Sequence, residues 1–317
     1  MERREFLKRT GQAVALATVT GATGLVFHNR NTARAASVVS VKPDFEVPAD
    51  PNLPKVTLCR NEDPIVALRA SLDAIGGIKR FVHPGERVTL KPNVGWDRSP
   101  AQAADTNPIL VGEMVRLCLD AGASRVVVSD VPCNDPRRCF LRSGIREATE
   151  QAGGEAILEA DEDFIEASLG GTLLTKWPVL KHFIETDRLI NMPIVKQHSL
   201  SRVTVGMKNL YGIIGGRRNQ LHQQIDRSIV DLAAYCRPTL VVIDATRVLM
   251  RSGPQGGSLD DVSIENTVMC ATDQVAGDSR ASEFLGTFGR QVAHIELAGL
   301  SGLGMIDYRA AGYKEIA

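Results

Sequence analysis

The sequence predicts an α/β fold built on a mostly parallel sheet with helices on both faces, with room for two lobes. Two observations carry this reading. Strand-like runs alternate with segments whose apolar residues recur at helical spacing, which is the rhythm of βαβ units. The strand runs are nearly continuous in Val, Leu and Ile, as strands covered on both faces require. Composition agrees. The 317 residues are 44% hydrophobic and 23% charged, with 28 Gly and 15 Pro, which excludes a disordered or collagen-like chain and allows a sizeable core.

Taken in order, residues 36–54 are Pro-rich and read as an extended lead-in. Residues 55–59 (Lys-Val-Thr-Leu-Cys) predict a strand, and Ile65, Leu68, Leu72 and Ile75 mark one helix face, ended by Gly76 and Gly77. Residues 87–91 predict a second strand, stopped by Pro92. Thr106-Asn107-Pro108 opens a helix carrying Leu110, Met114, Leu117 and Leu119, which Gly122 closes. Residues 125–129 give a third strand, ending at Asp130. Further along, 188–193 and 239–244 predict buried strands, 225–235 a helix, and 267–271 a strand before a helix opened near Asp273. A division between lobes falls around 155–185. Residues 306–317 read as a tail.

Charge is uneven along the chain. Lysine and arginine total 37 against 37 aspartate and glutamate, but residues 1–35 hold six of the basic groups and only two acidic ones. The remainder is mildly acidic, which excludes a general nucleic-acid binder. Arg3-Arg4-Glu5-Phe6-Leu7-Lys8 forms a twin-arginine pattern, followed by a short, weakly apolar stretch and a small-residue cleavage site at Ala33-Arg34-Ala35. Residues 1–35 therefore read as an export signal, with the twin-arginine machinery as partner and a periplasmic or otherwise exported destination. Beyond residue 35 no apolar run is long enough to span a bilayer.

Polar residues gather at the carboxyl ends of the predicted strands, where open α/β sheets place their ligands. These are Lys91 and Asn93, Asp130, Lys196 with His198, and Asp244. A His near a Lys after a buried strand suits proton transfer or the binding of an anionic oxygen, so Lys196 and His198 are the candidate catalytic pair. The bland alternative is an exposed polar loop. Lys91, Asn93 and Lys208 are candidate ligand-binding groups, with Asp130, Asp244 and Asp278 behind them. Gly215, Gly216 and Arg217 lie in a Gly-rich loop that suits an anion, although a surface turn explains it equally well. His222 and His294 are isolated and read as structural or surface histidines.

The six cysteines form no Cys-x-x-Cys, so neither a zinc ribbon nor an iron–sulfur cluster is written locally. Cys133 and Cys139 flank one loop and are candidates for a disulfide in an oxidising compartment. No nucleophile elbow, Walker loop or metal-ligand spacing is present.

The motifs, in order, resemble the domain of unknown function 362 family. They are Leu90-Lys91-Pro92-Asn93, Thr106-Asn107-Pro108, Leu189-Ile190-Asn191-Met192-Pro193 leading to Lys196 and His198, Met207-Lys208-Asn209-Leu210-Tyr211-Gly212, and Val242-Ile243-Asp244-Ala245. The resemblance covers residues 55–305. It implies an α/β fold similar in outline to the nickel-dependent lactate racemase superfamily, and by that analogy alone a nickel or other metal cofactor. Many relatives append a ferredoxin-like module whose cysteine motifs this chain lacks.

Two functions follow as expectations. In the first, the protein binds or isomerises a small anionic metabolite, with Lys91 and Lys196 holding the anion and His198 moving a proton. In the second, it is a non-catalytic accessory protein carrying a metal or cofactor for maturation of exported redox enzymes. Convergence of the Lys and His groups in one closed pocket favours the first.

Overall fold

The computed structural model describes residues 43–316, so the export-signal reading of residues 1–35 lies outside the described residues. In chain order the strands and helices are β1 (Val56–Arg60), α1 (Pro64–Ala74), β2 (Arg87–Pro92), α2 (Pro108–Asp120), β3 (Arg125–Val128), α3 (Pro136–Arg142), α4 (Ile145–Gln151), β4 (Glu155–Ala156), β5 (Phe164–Ser168), β6 (Lys176–Leu180), β7 (Arg188–Met192), β8 (Ile194–His198), β9 (Arg202–Thr204), α5 (Gly206–Asn209), α6 (Ile225–Tyr235), β10 (Leu240–Leu249), β11 (Val262–Ala271), α7 (Gln274–Ser282), α8 (Ala293–Leu300), α9 (Tyr308–Gly312) and β12 (Tyr313–Ile316).

The main sheet runs β12-β1-β11-β10-β7-β2-β3-β4. Every neighbouring pair on this path is parallel except the two made by β11, so β11 alone runs against the rest. The expected mostly parallel sheet is therefore present. Strand β8 adds to β10 in parallel and carries β9 antiparallel beside it, while β5 and β6 form a separate antiparallel hairpin within the segment read as a division between lobes. The C-terminal residues are more than a tail: β12 pairs with β1 and extends the sheet edge.

Side chains alternate across the sheet with period two. Leu189, Val241, Ile243 and Met269 join the core under α6, α7 and α8, where they meet Ile229, Leu232, Val275 and Ile295. Their neighbours Ile190, Leu240, Val242 and Val268 join the opposite core, against Leu68 and Leu72 of α1 and Leu110 and Met114 of α2. Burying each such side chain contributes about 1.5–3 kcal/mol, which is why these stretches carry apolar residues on both faces. The helix starts follow their caps. Asp63, Asn107 and Asp273 each accept a backbone N–H two residues on, with Pro inside the first turn of α1 and α2. Among the described residues no helix is long and apolar enough to cross a membrane.

Candidate functional site

The chain leaves β2 toward β3 on one side and leaves β7 toward β10 on the other, although β2 and β7 are direct neighbours. Such a reversal opens a crevice at the carboxyl ends of the two strands. A cavity of about 430 Å³ lies here, walled by Lys91 and Asn93 after β2, Asp130 after β3, Lys196 and His198 of β8, and Lys208 of α5. Five residues expected to converge, Lys91, Asn93, Lys196, His198 and Lys208, thus share one concave site, with Gly216 on its wall.

At one corner the polar groups satisfy each other. The Lys91 ammonium is fully buried and donates to Asp130 Oδ1 at 2.6 Å, Pro92 O at 2.9 Å and Asn209 Oδ1 at 3.1 Å. A lysine has three N–H donors, and all three are used. Burial lowers the Lys91 pKa, with the Asp130 charge pulling the other way. Asp130 Oδ2 accepts from Val94 N at 2.7 Å, and Asn209 ties the corner to Lys91 O and Asn191. Gly212 completes it, since a Cβ there would overlap both Asp130 Oδ1 and Lys91 Nζ. Asp130 therefore touches Lys91 directly instead of standing behind it.

The opposite wall is left open. Lys196 Nζ donates to Asn93 Oδ1 at 3.0 Å and Ala104 O at 2.6 Å, which leaves one proton uncommitted among the described residues. Burial lowers its pKa, while burial raises that of nearby Asp105, whose Oδ2 has no hydrogen-bond partner among the described residues. Lys208 Nζ makes no hydrogen bond or ion pair among the described residues and lies 3.9 Å from the Tyr211 ring centroid. Desolvation, opposed by Cys133 and reinforced by Lys196, Arg218 and Lys91, brings its pKa down to about 7. His198 Nδ1 accepts from Leu200 N at 3.1 Å and Ser201 N at 3.3 Å. With that lone pair committed, the ring hydrogen belongs on Nε2. Burial, with Lys208 and Lys196 nearby, holds its pKa down to about 3. His198 is therefore a neutral hydrogen-bond donor, without the free lone pair that a proton acceptor needs.

Asp244 and Asp278, expected behind these groups, are off the cavity wall. Asp244 sits within β10, because that strand continues to Leu249 instead of ending near Ile243. Its carboxylate accepts from Asn107 N and pairs with Arg247, and this braces the segment that presents Ala104 O to Lys196. Asp278 is likewise off the cavity wall. It accepts from Gly206 N and Met207 N, fixing the start of α5, and burial raises its pKa to about 7. Gly215 turns away, bonding Trp177 Nε1 and Pro178 O of the β5–β6 hairpin. Arg217 is exposed, and its neighbour Arg218 lines the cavity instead, bonding Val131 O and Tyr211 O. Cys133 and Cys139 are both free thiols. Cys139 rides α3 into the apolar core, whereas Cys133 is exposed and lines the cavity.

Sequence reasoning passed over Asp105, Trp96 and Tyr211, and it read His222 as isolated. His222 in fact lines the cavity and stacks on Tyr211 at 6.4 Å between centroids. A signal existed for Asp105 alone, an acidic residue directly before a helix-opening Thr-Asn-Pro. The donor set does not fit a side-chain-ligated metal. Among the described residues no three His, Cys, Asp or Glu side chains gather, and His198 offers an N–H in place of a lone pair.

Fold and site together define an α/β protein with a lysine-rich cavity at the switch point of a parallel sheet. The chain belongs to the family described as Domain of unknown function (DUF362), whose model matches residues 88–283. It is 27% identical to the thylakoid-associated protein sll1697 of Synechocystis sp. (strain ATCC 27184 / PCC 6803 / Kazusa), over 63% of this chain and 64% of that one. Among solved structures it is similar to the lactate racemase apoprotein of Thermoanaerobacterium thermosaccharolyticum, with TM-score 0.43, 12% identity, and coverage of 76% of this chain and 58% of that one. A Thermotoga maritima protein gives TM-score 0.41 and 12% identity, covering 76% and 59%. The chain thus spans less than two thirds of the length of each of these proteins.

Proposed function

We propose that the protein binds a small anionic metabolite, bearing carboxylate or phosphate, in the lysine cavity, and that Lys208 carries the proton chemistry there. One observation supports this reading above the rest. Asp130 is the one carboxylate on the cavity wall among the described residues, and Lys91 and Val94 N occupy both its oxygens. The lysine and His198 groups left uncommitted on that wall are donors: the last proton of Lys196, the Lys208 ammonium and His198 Nε2–H. A cavity offering donors to its contents suits an acceptor-rich anion. Isomerisation is the reaction class this supports, because an amine that titrates near neutral pH can take and return a proton. Convergence of the side chains in one cavity favours this reading over the accessory-protein alternative.

Titration calorimetry with pyruvate, malonate and phosphate tests the proposal. Binding by at least one, with affinity falling as pH rises through about 7, is expected, because the anion prefers protonated Lys208. For the same reason binding near pH 7 takes up a fraction of a proton, visible as a buffer-dependent enthalpy. No heat with any of the three, or an affinity indifferent to Lys208→Met, would sink it.

The proposal extends to location. Lys cannot reproduce the guanidinium fork, so an Arg3→Lys/Arg4→Lys double variant should stay in the cytoplasm if the twin-arginine machinery reads this pair. Undiminished export of the variant would remove that assignment.

A further inference from the structure

We propose that Lys208 is a nucleophilic amine that captures the carbonyl carbon of a small 2-oxo acid as an imine. This rests on the anion-binding reading for the carboxylate and adds a covalent step at a named atom. Two features of the cavity converge on Lys208. Of the three lysines on its wall, Lys91 commits every proton and Lys196 all but one, whereas Lys208 has no oxygen partner among the described residues. An amine free of hydrogen bonds can turn its lone pair to a substrate without first breaking a contact. Desolvation also disfavours the ammonium form, and Lys196, Arg218 and Lys91 add positive charge against the opposing pull of Cys133, while no unpaired carboxylate lines the cavity among the described residues. Desolvation beside other cations is how a lysine becomes nucleophilic near neutral pH.

The remaining donors fit the other end of such a substrate. The free proton of Lys196 suits the carboxylate, and the neutral Nε2–H of His198 suits the carbonyl oxygen, which it can polarise without surrendering its proton. In the step itself the Lys208 Nζ lone pair forms the C–N bond as the carbonyl π pair moves to oxygen. One Nζ proton passes to that oxygen to give the carbinolamine. The second Nζ proton then passes to the hydroxyl, which leaves as water with its bonding pair as the nitrogen lone pair closes the C=N bond. No oxidant or reductant is consumed.

The test uses the full chain with pyruvate, cyanoborohydride as trap, and intact and peptide mass spectrometry. We expect one reduced pyruvyl group per chain, on the peptide holding Lys208. Ordinary lysines stay protonated near neutral pH, so Lys208 should be labelled at least about tenfold more than any other lysine. Labelling should rise with pH through about 7 and vanish in Lys208→Arg, which keeps the charge but cannot attack. Peptide mapping of the unaltered chain decides the site even if that variant folds poorly. Calorimetric binding of pyruvate with no adduct, or an adduct on Lys196 or spread over surface lysines, would overturn the imine while leaving the anion site standing. Absence of both binding and adduct would remove both readings.

Discussion

Lys91 and Lys208 line the same cavity, yet Lys91 gives every proton to a protein acceptor and, among the described residues, Lys208 gives none to an oxygen. Burying a charge costs several kcal/mol unless partners offset it. At Lys91 the offset is internal, from Asp130, Asn209 and a backbone carbonyl, and the result is a braced corner where strands β2 and β3 end. At Lys208 the cost is reduced by partial loss of the proton, and in the proposed function an anionic ligand would complete the offset. The same side chain is architecture in one place and, on the proposed function, reagent in the other.

The largest effect expected from breaking this contrast is on the braced side. Asp130→Ala leaves Lys91 buried and unpaired, and should lower the unfolding free energy by about 3–5 kcal/mol in urea titrations. Replacing both partners, as Lys91→Met/Asp130→Leu, should recover most of that loss. A single variant as stable as the parent would show that the pair does not brace the fold. On the open side, Lys208→Met should cost little stability while lowering anion affinity by about tenfold or more, the worth of one charge-assisted hydrogen bond.

The pH dependence sharpens the comparison further. The Lys208 pKa is near 7 when folded and near 10.4 in an unfolded chain, so between these values the unfolded state binds more protons. Its contribution makes the ligand-free protein more stable as pH rises from about 7.5 to 9, and Lys208→Met should flatten that slope in thermal melts. A slope unchanged by the substitution would place the titration elsewhere. The smallest effect belongs to Arg217, which is exposed and off the cavity wall. Arg217→Ala should shift stability by no more than about 0.5 kcal/mol and leave anion binding intact, whereas Arg218, next in sequence, braces the wall through Val131 O and Tyr211 O.

Much of the fold is written locally. The β-branched and apolar runs at 87–91 and 125–129 become β2 and β3, and Asn107 and Asp273 cap the helices that their positions announce. The lysine cluster was legible too, since parallel strands deliver their ends to one edge and Lys91, Asp130 and Lys196 each follow such a strand. Where the reading failed, a longer-range contact decided. Asp244 lies inside its strand instead of at its end because β10 runs on to pair with β11 and β8, and a strand's length is set by its partners as much as by its own residues. Cys133 and Cys139, close in sequence, parted because α3 turns one thiol into the core.

Sequence alone determined the parallel sheet, its two apolar faces and the edge at which the polar residues collect, because hydrophobic periodicity and strand direction are properties of short segments. Tertiary structure alone decided which lysine is spent and which is free. That outcome depends on whether an acceptor from a distant segment, such as Asp130 or Asn209 for Lys91, comes within hydrogen-bond reach. It also fixed His198 as a donor, through the path of the Leu200 and Ser201 backbone around its ring. A proton's place is set by its nearest partners in space, and no spacing along the chain records them.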